Sequence, residues 1–160
     1  FFTGFVHKPY PPIYLELSRN AQFNSATVIR GTEGGIIPSL RQTGKVHFYH
    51  SADEQDDCYD VTPEDLGIVQ SSRAVDIPEK ITRKSIKDKI ESKVDAVDIA
   101  KETIKSGISA LSGNDGPMLS CIQLGAAIIL QRATGNDLGN CSKEVLRVLK
   151  SGAALKRMKR

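Results

Sequence analysis

Short β-like runs occupy the first half of the chain, and longer helix-like patterns occupy the second half. ATVIR, at residues 26–30, is rich in β-branched side chains and ends at Gly31, which predicts a buried strand. KVHFYH, at residues 45–50, alternates weakly and predicts a second strand. Before both, PPIYLELSRNAQF predicts a short helix with Pro11 or Pro12 in its first turn.

Between the strands and the helices, the pattern is loop-like with one helical turn. The acid-rich stretch 53–57 and residues 71–80 are predicted loops. TPEDLGI, at residues 62–68, predicts about one turn of helix with Thr62 as the N-cap, Pro63 at the first position and Gly67 at the end.

From residue 95 the apolar residues recur at steps of three and four, which is typical of an amphipathic helix. They are Val97, Ala100, Ile104, Ile108 and Leu111, and Gly113 suits the C-cap. Asp115 is a candidate cap for the next helix, whose residues 118–133 are apolar nearly all round and predict burial. Ser142 is the expected cap of a last helix, which Gly152 breaks or bends.

Two or three strands followed by helices indicate an α/β fold. So few strands do not make a doubly wound sheet. We therefore expect residues 1–160 to be the C-terminal portion of one α/β domain, whose other strands are missing or precede residue 1. The absence of an initiator Met also suggests a chain that begins inside a larger protein.

Composition places the chain among globular proteins, with 39% hydrophobic and 26% charged residues. No run of eighteen apolar residues occurs, so we expect no membrane span, and the first residues do not resemble a signal peptide.

The three widely spaced cysteines, Cys58, Cys121 and Cys141, argue against a disulfide framework and a Cys-type zinc site. They predict free thiols in a reducing intracellular compartment, and cytoplasm and plastid both stay open.

Charge is distributed in blocks, although the net charge is only +3. Residues 53–65 hold seven acids and no base, residues 80–93 hold six bases and two acids, and residues 143–160 hold seven bases and one acid. Basic blocks of this kind either contact a polyanion such as nucleic acid or form a solvated surface. The 80–93 block predicts an exposed helix or a linker, with Lys80, Arg83, Lys84 and Lys87 as its candidate polyanion contacts.

The glycine-rich turn GTEGGIIPS, at residues 31–39, follows the first predicted strand. Gly34 and Gly35 can present backbone N–H groups to a phosphate, but a tight turn requires glycine as well. Glu33 is a candidate ligand contact or a local hydrogen-bond acceptor. Arg30 and Arg41 flank the turn and can either clamp a phosphate or pair with the acidic loop.

Three histidines complete the candidate chemistry. His7 and Lys8, in GFVHKPY, are candidate ligand contacts, and we assign no catalytic residue. His47 and His50 are three residues apart, so a strand places them on opposite faces and disfavours a shared metal site.

The ordered set of segments resembles the C-terminal half of anthranilate phosphoribosyltransferase and its relatives over residues 4–158. The segments are the strand, the glycine turn, TPEDLGI, LSGNDGP, LSCIQLGAAIILQRATG and SKEVLRVLKSGAALKRM. The resemblance implies a phosphoribosyltransferase-type (nucleoside phosphorylase/phosphoribosyltransferase) α/β domain, normally joined to a small helical domain and usually dimeric. It also implies a site for phosphoribosyl pyrophosphate and magnesium at the C-terminal edge of the sheet, with a pyrophosphate loop in the N-terminal half, which is not in this chain.

The chain departs from that family at its metal site. Ile36 and Ile37 fall where the resemblance implies a magnesium-binding Asp-Glu pair, and isoleucine cannot ligate a cation. GTEGGIIPSLRQ and GFVHKPY are more similar to a divergent branch, some members of which bind nucleic acid.

Three hypotheses follow. The first is a divergent relative that lacks magnesium-dependent transfer and binds nucleic acid or another polyanion, as a homodimer or within a larger assembly. The second is a phosphoribosyl or glycosyl transferase with an altered metal site, which would require magnesium. The third is a structural subunit of a larger assembly.

Overall fold

The computed structural model of the chain describes residues 1–5, 7, 9–32, 38–76 and 96–159. The strands are β1 (Phe2–Phe5), β2 (Ala26–Arg30), β3 (Gly44–Tyr49) and β4 (Asp57–Val61). The helices are α1 (Tyr10–Asn20), a 3₁₀ turn (Pro63–Leu66), α2 (Ala96–Leu111), α3 (Pro117–Thr134), α4 (Leu138–Lys150) and α5 (Ala153–Met158). The predicted α/β class is confirmed, and the predicted basic helix or linker at residues 80–93 lies outside the described residues.

The four strands form one mixed sheet in the order β1-β2-β3-β4. β1 and β2 are parallel, with α1 between them in the chain, whereas β3 and β4 continue as an antiparallel meander. Phe5 lies opposite Arg30, and Gly44 lies opposite Val61. The carboxyl ends of β1, β2 and β4 therefore share one edge with the start of β3, which we call the upper edge.

β1 and β4 were not predicted, and both depend on pairing with distant segments. β1 is held by β2 and by hydrogen bonds at its start, where the Phe1 ammonium donates to the Ser25 carbonyl over 2.8 Å. β4 has the polar sequence DCYDV, but Tyr59 and Val61 alternate into the core, and Asp60 pairs with Lys45 across the strands over 3.1 Å.

Each face of the sheet packs against helices through its own core. On one face α1 contributes Leu15, and Tyr49 donates its hydroxyl hydrogen to the Phe23 carbonyl over 3.0 Å. On the other face, Leu124 and Ile128 of α3 are fully buried. The buried members of this second core are Ile29, Leu40, Val46, Val61, Ile68, Cys121, Leu124 and Ile128.

The helix predictions hold for the first half of the chain. α1 begins with prolines in its first turn, as predicted. Gly67 ends the 3₁₀ turn in the left-handed conformation. Thr62 occupies the N-cap position, but its side chain makes no capping bond and lies 3.0 Å from the Thr43 hydroxyl instead.

α2 ends as predicted at Gly113, whose φ of +87° places it in the left-handed region. The Gly113 N–H donates to the Ala110 carbonyl and the Asn114 N–H donates to the Ser109 carbonyl, which together form a Schellman-type end. Asp115 does not cap α3, contrary to the prediction, because Gly116 holds the N-cap position. The Asp115 carboxylate instead accepts a hydrogen bond from Lys150 over 2.6 Å.

The prediction that α3 is buried is confirmed for most of the helix. Leu124 and Ile128 pack in the core against the sheet, Leu119 packs in a second cluster with Ala110 and Leu149, and Ile129 is 48% exposed.

The predicted cap of the last helix is wrong. α4 begins four residues before Ser142, because the Asp137 carboxylate caps it by accepting from the Asn140 N–H over 2.9 Å. Ser142 is buried and accepts a hydrogen bond from Gln123. Gly152 does break the helix, with a φ of +69°.

Gly113→Ala tests the close approach of the α2 end to α4. The added Cβ would lie 2.9 Å from both the Leu149 carbonyl oxygen and the Lys150 Cα, at a φ that disfavours alanine. We expect the free energy of unfolding in urea to fall by about 1–3 kcal/mol.

Gly107→Ala is the matched control, because it lies within α2 and its Cβ would meet no atom within 4 Å. This variant should gain about 0.5–1 kcal/mol from helix propensity. Equal effects of the two substitutions would contradict the packing described at Gly113.

Candidate anion-binding site

The upper edge of the sheet carries the connections that follow β1 and β2. His7 lies just after β1, where its ring packs edge-on against Tyr10 at 5.5 Å and its carbonyl accepts the Tyr10 N–H. Arg30 is exposed at the end of β2. Lys8, Glu33, Gly34 and Gly35 lie outside the described residues, and so do Ile36 and Ile37.

A cavity of about 490 Å³ opens beside this edge, two residues beyond β2. Its lining combines two guanidinium groups with three hydroxyl groups and one carboxylate. The lining residues are Thr32, Arg41, Ser71, Ser72, Arg73, Ala74, Val75 and Asp76. Guanidinium and hydroxyl donors together can satisfy the oxygens of a phosphate or carboxylate, so the cavity has the chemistry of an anion site.

Leu40 joins the two segments that form the cavity. Its side chain is fully buried in the core under α3, and its N–H donates to the Arg73 carbonyl over 2.9 Å. Next to it, Arg41 Nη1 donates to the Ser71 carbonyl over 3.1 Å. The Ser39 hydroxyl accepts from the Arg41 N–H, which sets the turn. The Arg41 side chain is therefore held by a backbone carbonyl, and the backbone of Arg73 is held by the buried Leu40.

The inner side of the segment 71–76 rests on the core. Val75 packs against the α3-side cluster, and its backbone hydrogen-bonds the thiol of Cys121. Burial raises the pKa of Cys121 to about 11, an effect that the Val75 hydrogen bond opposes. The Cys121 thiol is therefore protonated at neutral pH and is not a nucleophile.

Only part of the predicted ligand set meets at this cavity. Arg41 lines it, whereas Arg30 and His7 lie at the same edge but are not among its lining residues. Arg73, Ser71, Ser72 and Asp76 were missed, although the polar run QSSRAVD at residues 70–76 carries the signal. The predicted contacts Lys80, Arg83, Lys84 and Lys87 lie outside the described residues.

A second polar cluster lies at the opposite edge of the sheet and has a structural role. The Arg132 guanidinium carbon lies 3.6 Å from the Phe48 ring centroid, and Nη2 is 3.0 Å from His50 Nδ1. Tyr59 donates its hydroxyl hydrogen to Gln131. Burial lowers the pKa of Arg132 and raises the pKa of Tyr59 to about 12. These contacts fasten the end of α3 to β3 and β4.

The histidines on β3 and just after it face opposite sides of the sheet, as predicted. His47 packs edge-on against Phe5 at 5.9 Å, and His50 packs against Phe48 at 5.2 Å.

Within the ranges that the structure describes, no three His, Cys, Asp or Glu side chains are grouped so that they could hold a metal ion. None of the described helices combines the length and the apolar content needed to cross a membrane.

Comparison with known proteins identifies no family for this chain. No protein-family model matches the chain, and no curated protein matches it significantly.

His47→Gln tests the effect of burial on the α1 face of the sheet. Burial lowers the pKa of His47, the nearby Lys45 ammonium lowers it further, and Asp56 and Asp60 oppose the shift. The unfolded chain therefore binds a proton at a higher pH than the folded chain does, so His47 costs stability as the pH falls through its unfolded value of about 6.5.

We expect the free energy of unfolding of the wild type to fall between pH 7.5 and pH 5, and to fall less in His47→Gln. Urea unfolding at both pH values measures the difference. The same pH dependence in both proteins would contradict the assignment of this effect to His47.

Proposed function

We propose that this chain belongs to a divergent branch of the anthranilate phosphoribosyltransferase family and binds nucleic acid or another phosphorylated polymer at the upper edge of its sheet. The observation that carries the proposal is the cavity that Arg41 and Arg73 line together with three hydroxyl-bearing residues. A phosphodiester offers oxygens that guanidinium groups bind in pairs, and hydroxyl groups complete the coordination.

The position of the cavity supports the proposal. Ligands of open α/β sheets bind outside the carboxyl ends of the strands, and this cavity opens just beyond the carboxyl end of β2. Arg30 and His7 extend the same edge with one further cation and a ring that can donate a hydrogen bond. A polymer that crosses the edge would therefore meet Arg30 after it leaves the cavity.

Charge elsewhere on the chain supports a polymeric ligand over a small one. α4 and α5 carry exposed bases, and the sequence adds a basic block at residues 80–93. Several separated cations can neutralise successive phosphates of one strand, and each contact releases counterions. Ile36 and Ile37, at the positions of the implied acidic pair, favour binding over magnesium-dependent transfer.

Anisotropy of labelled single- and double-stranded DNA, measured across a salt series, tests the proposal. We expect binding that weakens steeply with salt in the wild-type protein. In the double variant Arg41→Ala/Arg73→Ala, the slope of the logarithm of the binding constant against the logarithm of the salt concentration should decrease in magnitude by about 1.5–2. The reason is that two phosphate contacts are lost. Lys101→Ala is the control, since Lys101 is a base of α2 whose side chain is 71% exposed and which lies outside the cavity and outside the basic helices α4 and α5.

The other outcomes separate the competing functions. Salt-dependent binding that is unchanged in the double variant would contradict the assignment to this cavity. The absence of DNA binding would contradict the proposal and favour a structural subunit. Competition by phosphoribosyl pyrophosphate only in the presence of magnesium would favour a transferase.

A further inference from the structure

Ser71 is the most accessible hydroxyl group of the cavity at the upper edge. Of the three hydroxyl-bearing residues described in its lining, Ser71 is exposed, whereas Thr32 and Ser72 are half-buried. Residues 69–76 belong to no helix or strand, so the chain around Ser71 runs over the surface as a loop. An enzyme that modifies serine can therefore reach this side chain without unfolding an element of the core.

The neighbouring serine, Ser72, has a structural role instead. Its hydroxyl group donates a hydrogen bond to the Ala74 carbonyl over 2.7 Å, which tightens the turn that carries Arg73. The Ser71 carbonyl, in contrast, accepts a hydrogen bond from Nη1 of Arg41 over 3.1 Å. The guanidinium group of Arg41 is therefore already held against the backbone of Ser71, next to the hydroxyl group that is accessible.

We propose that Ser71 is a phosphorylation site whose phosphate is bound by Arg41 and Arg73 and closes the cavity to other anions. The phosphate would sit on the same residue as the carbonyl that Arg41 holds, and Arg73 lines the cavity two residues further along the chain. Planar guanidinium groups bind phosphate oxygens in pairs, and such charge-assisted hydrogen bonds order the segment that carries the phosphate.

The modification transfers a phosphoryl group from a nucleoside triphosphate to Ser71, and a separate protein kinase catalyses it. The Ser71 hydroxyl oxygen forms a bond to the γ-phosphorus, and the bond from that phosphorus to the bridging oxygen of the β-phosphate breaks. The nucleoside diphosphate leaves with the electron pair of the broken bond, and the hydroxyl proton passes to a carboxylate base of the kinase.

The charge of the cavity explains how the phosphate regulates binding. The two guanidinium groups and the Asp76 carboxylate leave the lining with one net positive charge. A phosphoserine carries a charge of about −1.5 to −2 at pH 7, so phosphorylation makes the lining negative. Because the phosphate is tethered, its effective concentration at the arginines is on the order of millimolar, and it competes directly with a polymer in solution. This regulation rests on the proposed function, since it requires the polyanion to bind at this cavity.

Phosphorus-31 NMR of the 160-residue chain, with phosphoserine genetically encoded at residue 71, tests the arginine contact. The phosphate should titrate with a midpoint about 0.5–1 below its ordinary value of about 6, because nearby guanidinium groups favour the dianion. In Arg41→Ala/Arg73→Ala the midpoint should return to the ordinary value. Phosphothreonine at Thr103, which is exposed on α2 and outside the cavity, is the control and should titrate at the ordinary value.

Anisotropy of labelled single-stranded DNA with the same proteins tests the closure of the cavity. Phosphoserine at residue 71 should weaken DNA binding about tenfold or more, and phosphothreonine at Thr103 should change it by less than about threefold. Mass spectrometry of the protein isolated from its natural cells should find phosphate on Ser71.

Three results would overturn the proposal: a phosphorus midpoint that equals the Thr103 control, DNA binding that the two phosphates weaken equally, or natural protein that carries no phosphate on Ser71. Failure of the unmodified chain to bind DNA would overturn the proposed function and, with it, the regulation of binding. The phosphorus midpoint separates the two cases, because it reports the contact between the phosphate and the arginines without any DNA.

Discussion

The placement of Leu40 is the constraint on which the upper edge of the molecule depends. Its side chain is enclosed in the core between the sheet and α3, and its N–H is bound to the Arg73 carbonyl. One residue therefore fixes both the turn that carries Arg41 and the segment that carries Arg73. The cavity exists because a buried aliphatic side chain and a backbone hydrogen bond hold two polar segments next to each other.

The elements that sequence predicts well are those that local chemistry determines. ATVIR forms a strand because β-branched residues fit a pleated surface, and Gly67, Gly113 and Gly152 end helical segments in the left-handed region. β1 and β4 are different, because FTGF and DCYDV become strands only through their partners β2 and β3. Asp137 was missed as a cap because the following residues, LGN, do not resemble a helix start.

The candidate site also combines a residue that the local sequence predicts with residues that only distant contacts bring together. Arg41 was predicted as a ligand because it flanks a glycine turn that follows a strand. Arg73 and its neighbouring serines are at least thirty residues from Arg41 in sequence, and the pattern around them indicates only a loop. They reach Arg41 through the hydrogen bonds from the Leu40 N–H to the Arg73 carbonyl and from Arg41 to the Ser71 carbonyl, which no periodicity reveals. The α2 helix shows a limit of apolar periodicity. The spacing of three and four residues predicts an apolar stripe, but it does not predict whether that stripe faces the core or the solvent.

The contacts between α3 and the sheet also determine the order in which the chain can fold. His50 and Arg132 are 82 residues apart, and Tyr59 and Gln131 are 72 residues apart, whereas β2, β3 and β4 pair over much shorter separations. The meander can therefore assemble soon after its residues leave the ribosome, but the face that carries Ile29, Val46 and Val61 lacks the cover of Leu124 and Ile128 until α3 is made. Until then the nascent sheet exposes part of an apolar surface, which is the kind of surface that chaperones bind.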